Sequence, residues 1–137
     1  MSLVLTAATL NVITPVNTIE VYTSALGATI IAITGFAIMM IGWWQFKQRG
    51  VAICPTEKTA SLITNGIYRH TRNPMYLGLT LILIGVAMTA GTLTFYIAAA
   101  AFFAIIHLRF CPYEEAKLRT AFGQEYIVYS SQVRRWI

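Results

Sequence analysis

Leu62-Ile63-Thr64-Asn65-Gly66-Ile67-Tyr68-Arg69-His70-Thr71-Arg72-Asn73-Pro74-Met75-Tyr76-Leu77-Gly78 is a polar, basic, turn-forming stretch set between long apolar runs. Gly66 and Pro74 punctuate it, while Tyr68, Arg69, His70, Arg72, Asn73 and Tyr76 gather hydrogen-bonding groups into a short span of chain. Polar groups concentrated at the border of an apolar run are costly there, and a bound ligand is the reading favoured for them. Glu114-Glu115, near the C-terminus, is the candidate for the other half of such a site.

The flanking runs set the class of protein. Of the 137 residues 57% are hydrophobic, 11% are charged and none is Asp. A soluble domain carries about 25% charged residues. Val21 to Phe46 contains no charge at all, and the segment after Pro74 holds a second long apolar run. Such runs predict an all-α, polytopic membrane helical bundle of three to four spans, in a single domain covering 1–137.

Residues 1–20 are expected to form a short first span. Met1 to Ile13 is apolar but interrupted by Thr6, Thr9 and Asn11. As a helix it would reach about 20 Å, less than a ~30 Å hydrocarbon core. No basic segment precedes it, so a cleaved signal peptide is not expected. Residues 21–46 form the next span, with Gly27, Ala28, Ala32, Gly35 and Gly42 permitting close helix contact. Trp43 and Trp44 end it, where indole rings favour the membrane interface.

Residues 47–73 form a loop carrying Lys47, Arg49, Lys58, Arg69 and Arg72 against Glu57 alone, which marks it as cytoplasmic. Residues 74–110 form a helical hairpin. Pro74 suits a first helical turn, where its missing N–H would be unpaired anyway. Met75 to Ala90 and Leu93 to Phe110 are the two arms, joined at Gly91-Thr92. The hairpin returns residues 111–137, with Lys117, Arg119, Arg134 and Arg135, to the cytoplasmic side.

This last segment reads as an amphipathic helix. Leu118, Phe122, Tyr126, Tyr129 and Val133 recur at helical spacing, Gly123 marks a bend, and Trp136 suits an interfacial anchor. Glu114 and Glu115 follow Pro112 at the expected helix start, where the dipole favours acids. The net charge of +5 is spread over two blocks that flank apolar runs, so no nucleic-acid partner is expected. Cys54 and Cys111, with His70 and His107, lack paired ligand spacing, and no metal site is expected.

The order of blocks carries more than any one of them. Gly66-Ile67-Tyr68 and Arg72-Asn73-Pro74-Met75-Tyr76-Leu77-Gly78 precede a hydrophobic hairpin. Pro112-Tyr113-Glu114-Glu115-Ala116-Lys117-Leu118, Phe122-Gly123-Gln124-Glu125-Tyr126 and Arg135-Trp136 follow it. This pattern resembles the isoprenylcysteine carboxyl methyltransferase and phospholipid methyltransferase superfamily, over about 50–137 and more loosely over 21–49.

The resemblance implies a multi-pass membrane enzyme, in a small bacterial form of the inner membrane, with S-adenosylmethionine as cofactor. Its site would lie at the cytoplasmic face, enclosed by the loop and the C-terminal helix. It implies cofactor contacts at Ala60, Ser61, Leu62, Ile63, Tyr68, Asn73, Pro74, Met75, Tyr76 and Glu114. Arg72, Asn73, Tyr76 and Arg109 are the candidate catalytic residues. The cationic cofactor wants a carboxylate, which Glu114 supplies, and Leu62, Ile63 and Met75 are candidate walls for its adenine. Glu115 is left to cap a helix or to pair with Arg72 or Arg119.

Arg72-Asn73-Pro74 stands where prenylcysteine-type members carry Arg-His-Pro. The acceptor class therefore stays broad: a prenylcysteine-like carboxylate, a phospholipid amine or a small apolar nucleophile, met among membrane lipids. An amine acceptor would need a base, for which His70 and Tyr76 are candidates. The competing reading is a non-enzymatic scaffold whose basic loop binds anionic lipid.

Overall fold

The computed structural model describes residues 25–48 and 61–137. The expected short span at 1–20 lies outside these residues, as do Cys54 and Ala60. The regular elements among the described residues are all helical. They are α1 (Ala25–Gln48), a single 3-10 turn (Gly66–Arg69), α2 (Pro74–Ala90), α3 (Leu93–Phe122) and α4 (Gln124–Gln132).

Small residues decide how α1 and α2 meet. Ala28, Gly35 and Gly42 recur every seven residues on α1 and all three are buried. Gly78 and Gly85 share that spacing on α2. The two sets match in antiparallel order. A Cβ added at Gly85 would lie 2.8 Å from the Ala28 carbonyl, one at Gly35 2.6 Å from the Gly78 carbonyl, and one at Gly42 3.1 Å from the Pro74 ring. The two backbones thus run in near contact, as glycine alone allows.

A tight turn separates α2 from α3. Pro74 opens α2 at a first-turn position. Gly91 closes the helix in the left-handed region at φ 64°, its N–H donating to the Ala87 carbonyl. This is the conformation that favours glycine at a helix end.

α1 is 24 residues long and α3 30, and both are long and apolar enough to cross a membrane. Only 17% of the most apolar window of α1, and 11% of that of α3, is buried within the fold. Leu26, Ile30, Ile33, Phe36 and Ile97 project outward. A helix that is apolar all round yet uncovered by protein wants an apolar surrounding. α2, at 17 residues, is apolar but shorter.

In one place the chain departs from the sequence expectation. A break was expected after Phe110, with a new helix beginning at Pro112, but α3 runs straight through. It does so by a π turn over Ile106–Phe110, in which the Cys111 N–H donates to the Ile106 carbonyl. The cause is Pro112: it offers no N–H and its ring crowds the preceding turn, so the ladder widens by one residue instead of breaking. Glu114 and Glu115 therefore sit in mid-helix, and the helix-start explanation for this pair of acids falls away.

The C-terminal stripe does pack as its spacing suggests. Leu62, Tyr126 and Tyr129 form a buried cluster, with Leu118, Phe122 and Val133 against it. The bend falls at Gly123, whose φ of 51° and ψ of −122° separate α3 from α4.

Candidate functional site

The polar chemistry collects where the 3-10 turn, the start of α2, the later part of α3 and the C-terminal tail come together. Downstream of the π turn, Cys111, Glu115, Leu118 and Phe122 are spaced four, three and four residues apart and share one helix face. Cys111 is fully buried, and the other three are half-buried or nearly so. Glu114 lies beside this face, turned about 100° from Glu115.

The two acids have different surroundings. Glu115 is enclosed by cations: Arg135 grips it through Nε at 2.7 Å and Nη2 at 2.8 Å, and Arg72 Nη1 lies 3.2 Å away. Glu114 instead accepts a 2.7 Å hydrogen bond from the Tyr76 hydroxyl. Among the described residues no cation pairs with it. A half-buried carboxylate held by a neutral donor is a place for a cation from outside the chain.

The turn that carries Tyr68 is fixed from three sides. Gly66 has a φ of 63°, and the Gln45 amide of α1 lies against it where a side chain would be. Gln45 Oε1 accepts from the Ile67 N–H at 3.2 Å. The Tyr68 hydroxyl donates to the Gly42 carbonyl at 3.4 Å, and the Tyr68 carbonyl accepts from the Tyr129 hydroxyl at 2.7 Å. Burial, with Glu114 adding to it, pushes the Tyr68 phenol up to about 12, and burial pushes Tyr129 up to about 12 as well.

The sign of that shift is testable. A phenol raised above its usual value near 10 favours the neutral form in the folded state. Its contribution to stability is complete below pH ~10 and is lost as pH rises through ~12. Tyrosinate absorbance should therefore develop at higher pH in the native protein than in the unfolded chain. Coincident titrations would show that these two phenols are solvated.

The tail docks on the polar stretch. The Arg72 N–H donates to the Arg134 carbonyl at 3.1 Å. The Arg135 carbonyl accepts from Thr71 Oγ1 at 3.1 Å and from Asn73 Nδ2 at 3.3 Å. Arg72 Nη1 also donates to the Tyr126 hydroxyl at 3.2 Å. Trp136 Nε1 donates to His107 Nδ1 at 3.0 Å, with Phe103 stacked on the imidazole. Trp136 thus closes the tail over α3 through a histidine.

The structure brings together Tyr68, Arg72, Asn73, Tyr76 and Glu114 of the residues singled out in the sequence. Pro74 and Met75 lie beside Gly42 at the mouth of the α1–α2 contact. Leu62 is committed to the aromatic cluster with Tyr126 and Tyr129. Ile63 is buried, whereas Ser61, His70 and Arg109 are exposed. Arg109, on the π turn, takes no part in the bonds that join the others.

Three participants went unassigned in the sequence. Gln45 sits at the end of an apolar run and supports a turn more than twenty residues away, a pairing no local pattern signals. Tyr126 was read as apolar stripe, yet its hydroxyl holds Arg72. Arg135 belongs to a basic pair that charge counting places at a membrane edge, while its side chain is only 25% exposed and saturates Glu115.

A family model described as phospholipid methyltransferase matches residues 22–125, which takes in α1, the polar stretch, the hairpin and both acids. No curated protein and no solved structure gives a significant match. On the family match, which covers most of its length, the chain belongs to the phospholipid methyltransferase family.

Proposed function

We propose that the protein transfers a methyl group from S-adenosylmethionine to a lipophilic or membrane-embedded acceptor. The observation that carries this reading is the contrast between neighbours: Glu115 is neutralised by Arg72 and Arg135, while Glu114 is held by Tyr76 and pairs with no cation among the described residues. That donor set suits a ligand bearing an ammonium group. When bound, the cofactor supplies an activated methyl group on a sulfonium centre.

The remaining work falls to the chain. Glu114, fixed by the Tyr76 hydroxyl, holds the cationic end of the ligand. Met75, half-buried next to Gly42, is the apolar side chain with surface left for the adenine, since Leu62 is already packed. Methyl transfer is an in-line displacement, so orientation and exclusion of water are the main demands on the protein. A carboxylate or thiolate acceptor needs no base. An amine must lose a proton first, and neither candidate base meets that need here: the Tyr76 hydroxyl donates its own proton to Glu114, and His70 is exposed.

The setting follows from the apolar helices. α1, α2 and the part of α3 before Cys111 are read as spans of a multi-pass bundle, with any span at 1–20 as a fourth. We read the site as lying on the cytoplasmic side of a bacterial inner membrane, and the basic residues Lys47, Arg69, Lys117, Arg119 and Arg134 support the cytoplasmic side. An acceptor in the lipid phase reaches it sideways. That favours a phospholipid amine, a prenylcysteine-like carboxylate or a small apolar nucleophile over a soluble substrate.

S-adenosylhomocysteine should raise the thermal stability of the purified protein in detergent. A hundredfold excess over Kd should add about 2.7 kcal/mol. Radiolabelled cofactor should then methylate one of phosphatidylethanolamine, a prenylcysteine or an apolar thiol. Folded protein whose stability is indifferent to millimolar ligand would instead support the scaffold.

A further inference from the structure

We propose that Arg135 is a positioning residue of the site, locking the C-terminal tail against the π turn of α3 so that Glu115 is used up and Glu114 is left for the ligand. Arg135 lies beyond the residues 22–125 that the family model matches. The proposal rests on the methyltransferase reading only for what Glu114 binds.

The bonding begins at Pro112. In an unbroken α-helix the His107 carbonyl would accept from the Cys111 N–H, but that group bonds to Ile106. The next residue along, Pro112, has no N–H to offer. The His107 carbonyl is thus left without a ladder partner, and Arg135 Nη1 reaches it at 3.4 Å. The same guanidinium grips both oxygens of Glu115 through Nε and Nη2. A planar fork serves this three-way contact, which a lysine ammonium cannot reproduce.

The main chain of Arg135 faces the other way. Its carbonyl accepts from Thr71 Oγ1 and Asn73 Nδ2, on the segment just before Pro74. One residue therefore ties together the tail, the π turn and the polar stretch. It sets the rotation of α3 that turns Glu115 toward the tail and Glu114 toward Tyr76. Beneath it lies Cys111, one helical turn before Glu115 and fully buried as a free thiol. Cys111 reports on whether the tail is docked.

The test uses the full chain in detergent with Cys54→Ser, so that Cys111 is the one thiol left. In the absence of ligand, a maleimide should label Cys111 slowly in the parent and roughly tenfold faster in Arg135→Gln. Arg135→Lys keeps the charge and loses the fork, so its rate should lie near that of Arg135→Gln. By calorimetry, both variants should bind S-adenosylhomocysteine roughly tenfold more weakly than the parent.

Continued protection of Cys111 in Arg135→Gln would overturn the inference, and so would parent-like protection in Arg135→Lys, since charge alone would then suffice. Faster labelling with unchanged ligand affinity would overturn it too, reducing the tail to a cover. If Arg135→Gln does not fold, Arg135→Lys makes the same comparison. A parent protein that binds no S-adenosylhomocysteine would sink the methyltransferase reading, and labelling alone would then decide the role of Arg135 in docking the tail.

Discussion

Glu114→Gln is expected to weaken S-adenosylhomocysteine binding by roughly 10–150-fold while leaving the fold intact. The range is the worth of one charge-assisted hydrogen bond, about 1.5–3 kcal/mol, expressed as affinity. Gln keeps the shape and can still accept from the Tyr76 hydroxyl, which now bonds to Glu114 at 2.7 Å. Only the charge is lost, and no cation within the described chain depends on it.

Glu115→Gln should do the reverse. Its carboxylate balances Arg72 and Arg135, whose side chains are 15% and 25% exposed. Removing one partner of a buried pair costs about 3–5 kcal/mol. The low end applies here, because Gln keeps one acceptor oxygen for Arg135 and that side chain is partly solvated. Ligand affinity should change far less than in Glu114→Gln. Calorimetry and thermal unfolding on both variants separate the two roles. Equal affinity for Glu114→Gln and the parent would reduce Glu114 to a structural acceptor for Tyr76.

That the two acids face different surroundings was legible because a helix turns neighbours about 100° apart. Their real setting was not. A proline ahead of two acids carries the signature of a helix start, and local pattern cannot tell a start from a π turn inside a longer helix. What decides is tertiary: the tail supplies Arg135 to the carbonyl that the π turn leaves open. Gln45 beneath Gly66 is the same kind of case, a contact set by how α1 lies over the loop.

The parts that read well are those governed by local geometry or strict period. Pro74 opens α2, Gly91 ends it, Gly123 bends the tail, and Leu118, Phe122, Tyr126, Tyr129 and Val133 pack on one core. The polar stretch was legible as a cluster but not in its detail. Tyr68 and Asn73 spend their polar groups largely on the chain itself, at Gly42, Tyr129 and Arg135.

The seven-residue stripe of small side chains sets the other large effect, and the glycines on it are not equivalent. At Gly78 an added Cβ would lie 2.7 Å from the Met39 backbone nitrogen and close against the Gly35 carbonyl. Both obstacles are main chain, so α1 and α2 would have to separate. At Gly42 the nearest atoms are the Pro74 ring at 3.1 Å and 3.2 Å and Met75 at 3.4 Å, which can yield by a few tenths of an ångström.

Ala in place of Gly gains at most about 1 kcal/mol of helix propensity. That gain shrinks in an apolar surrounding, where helices form before they pair. Forcing two backbones apart costs about 1–3 kcal/mol or more. The balance makes Gly78→Ala destabilising by about 2 kcal/mol, with Gly78→Leu preventing the pairing altogether, while Gly42→Ala stays within ~0.5 kcal/mol of the parent. The loss should reach the site, because the Tyr68 hydroxyl is anchored on the Gly42 carbonyl and Pro74 packs across the same contact. Thermal unfolding of the three variants in one detergent, read with Cys111 protection, tests this order. Gly78→Ala as stable as Gly42→Ala would mean that α1 and α2 do not meet backbone to backbone, and the placement of the polar stretch over α1 would fall with that contact.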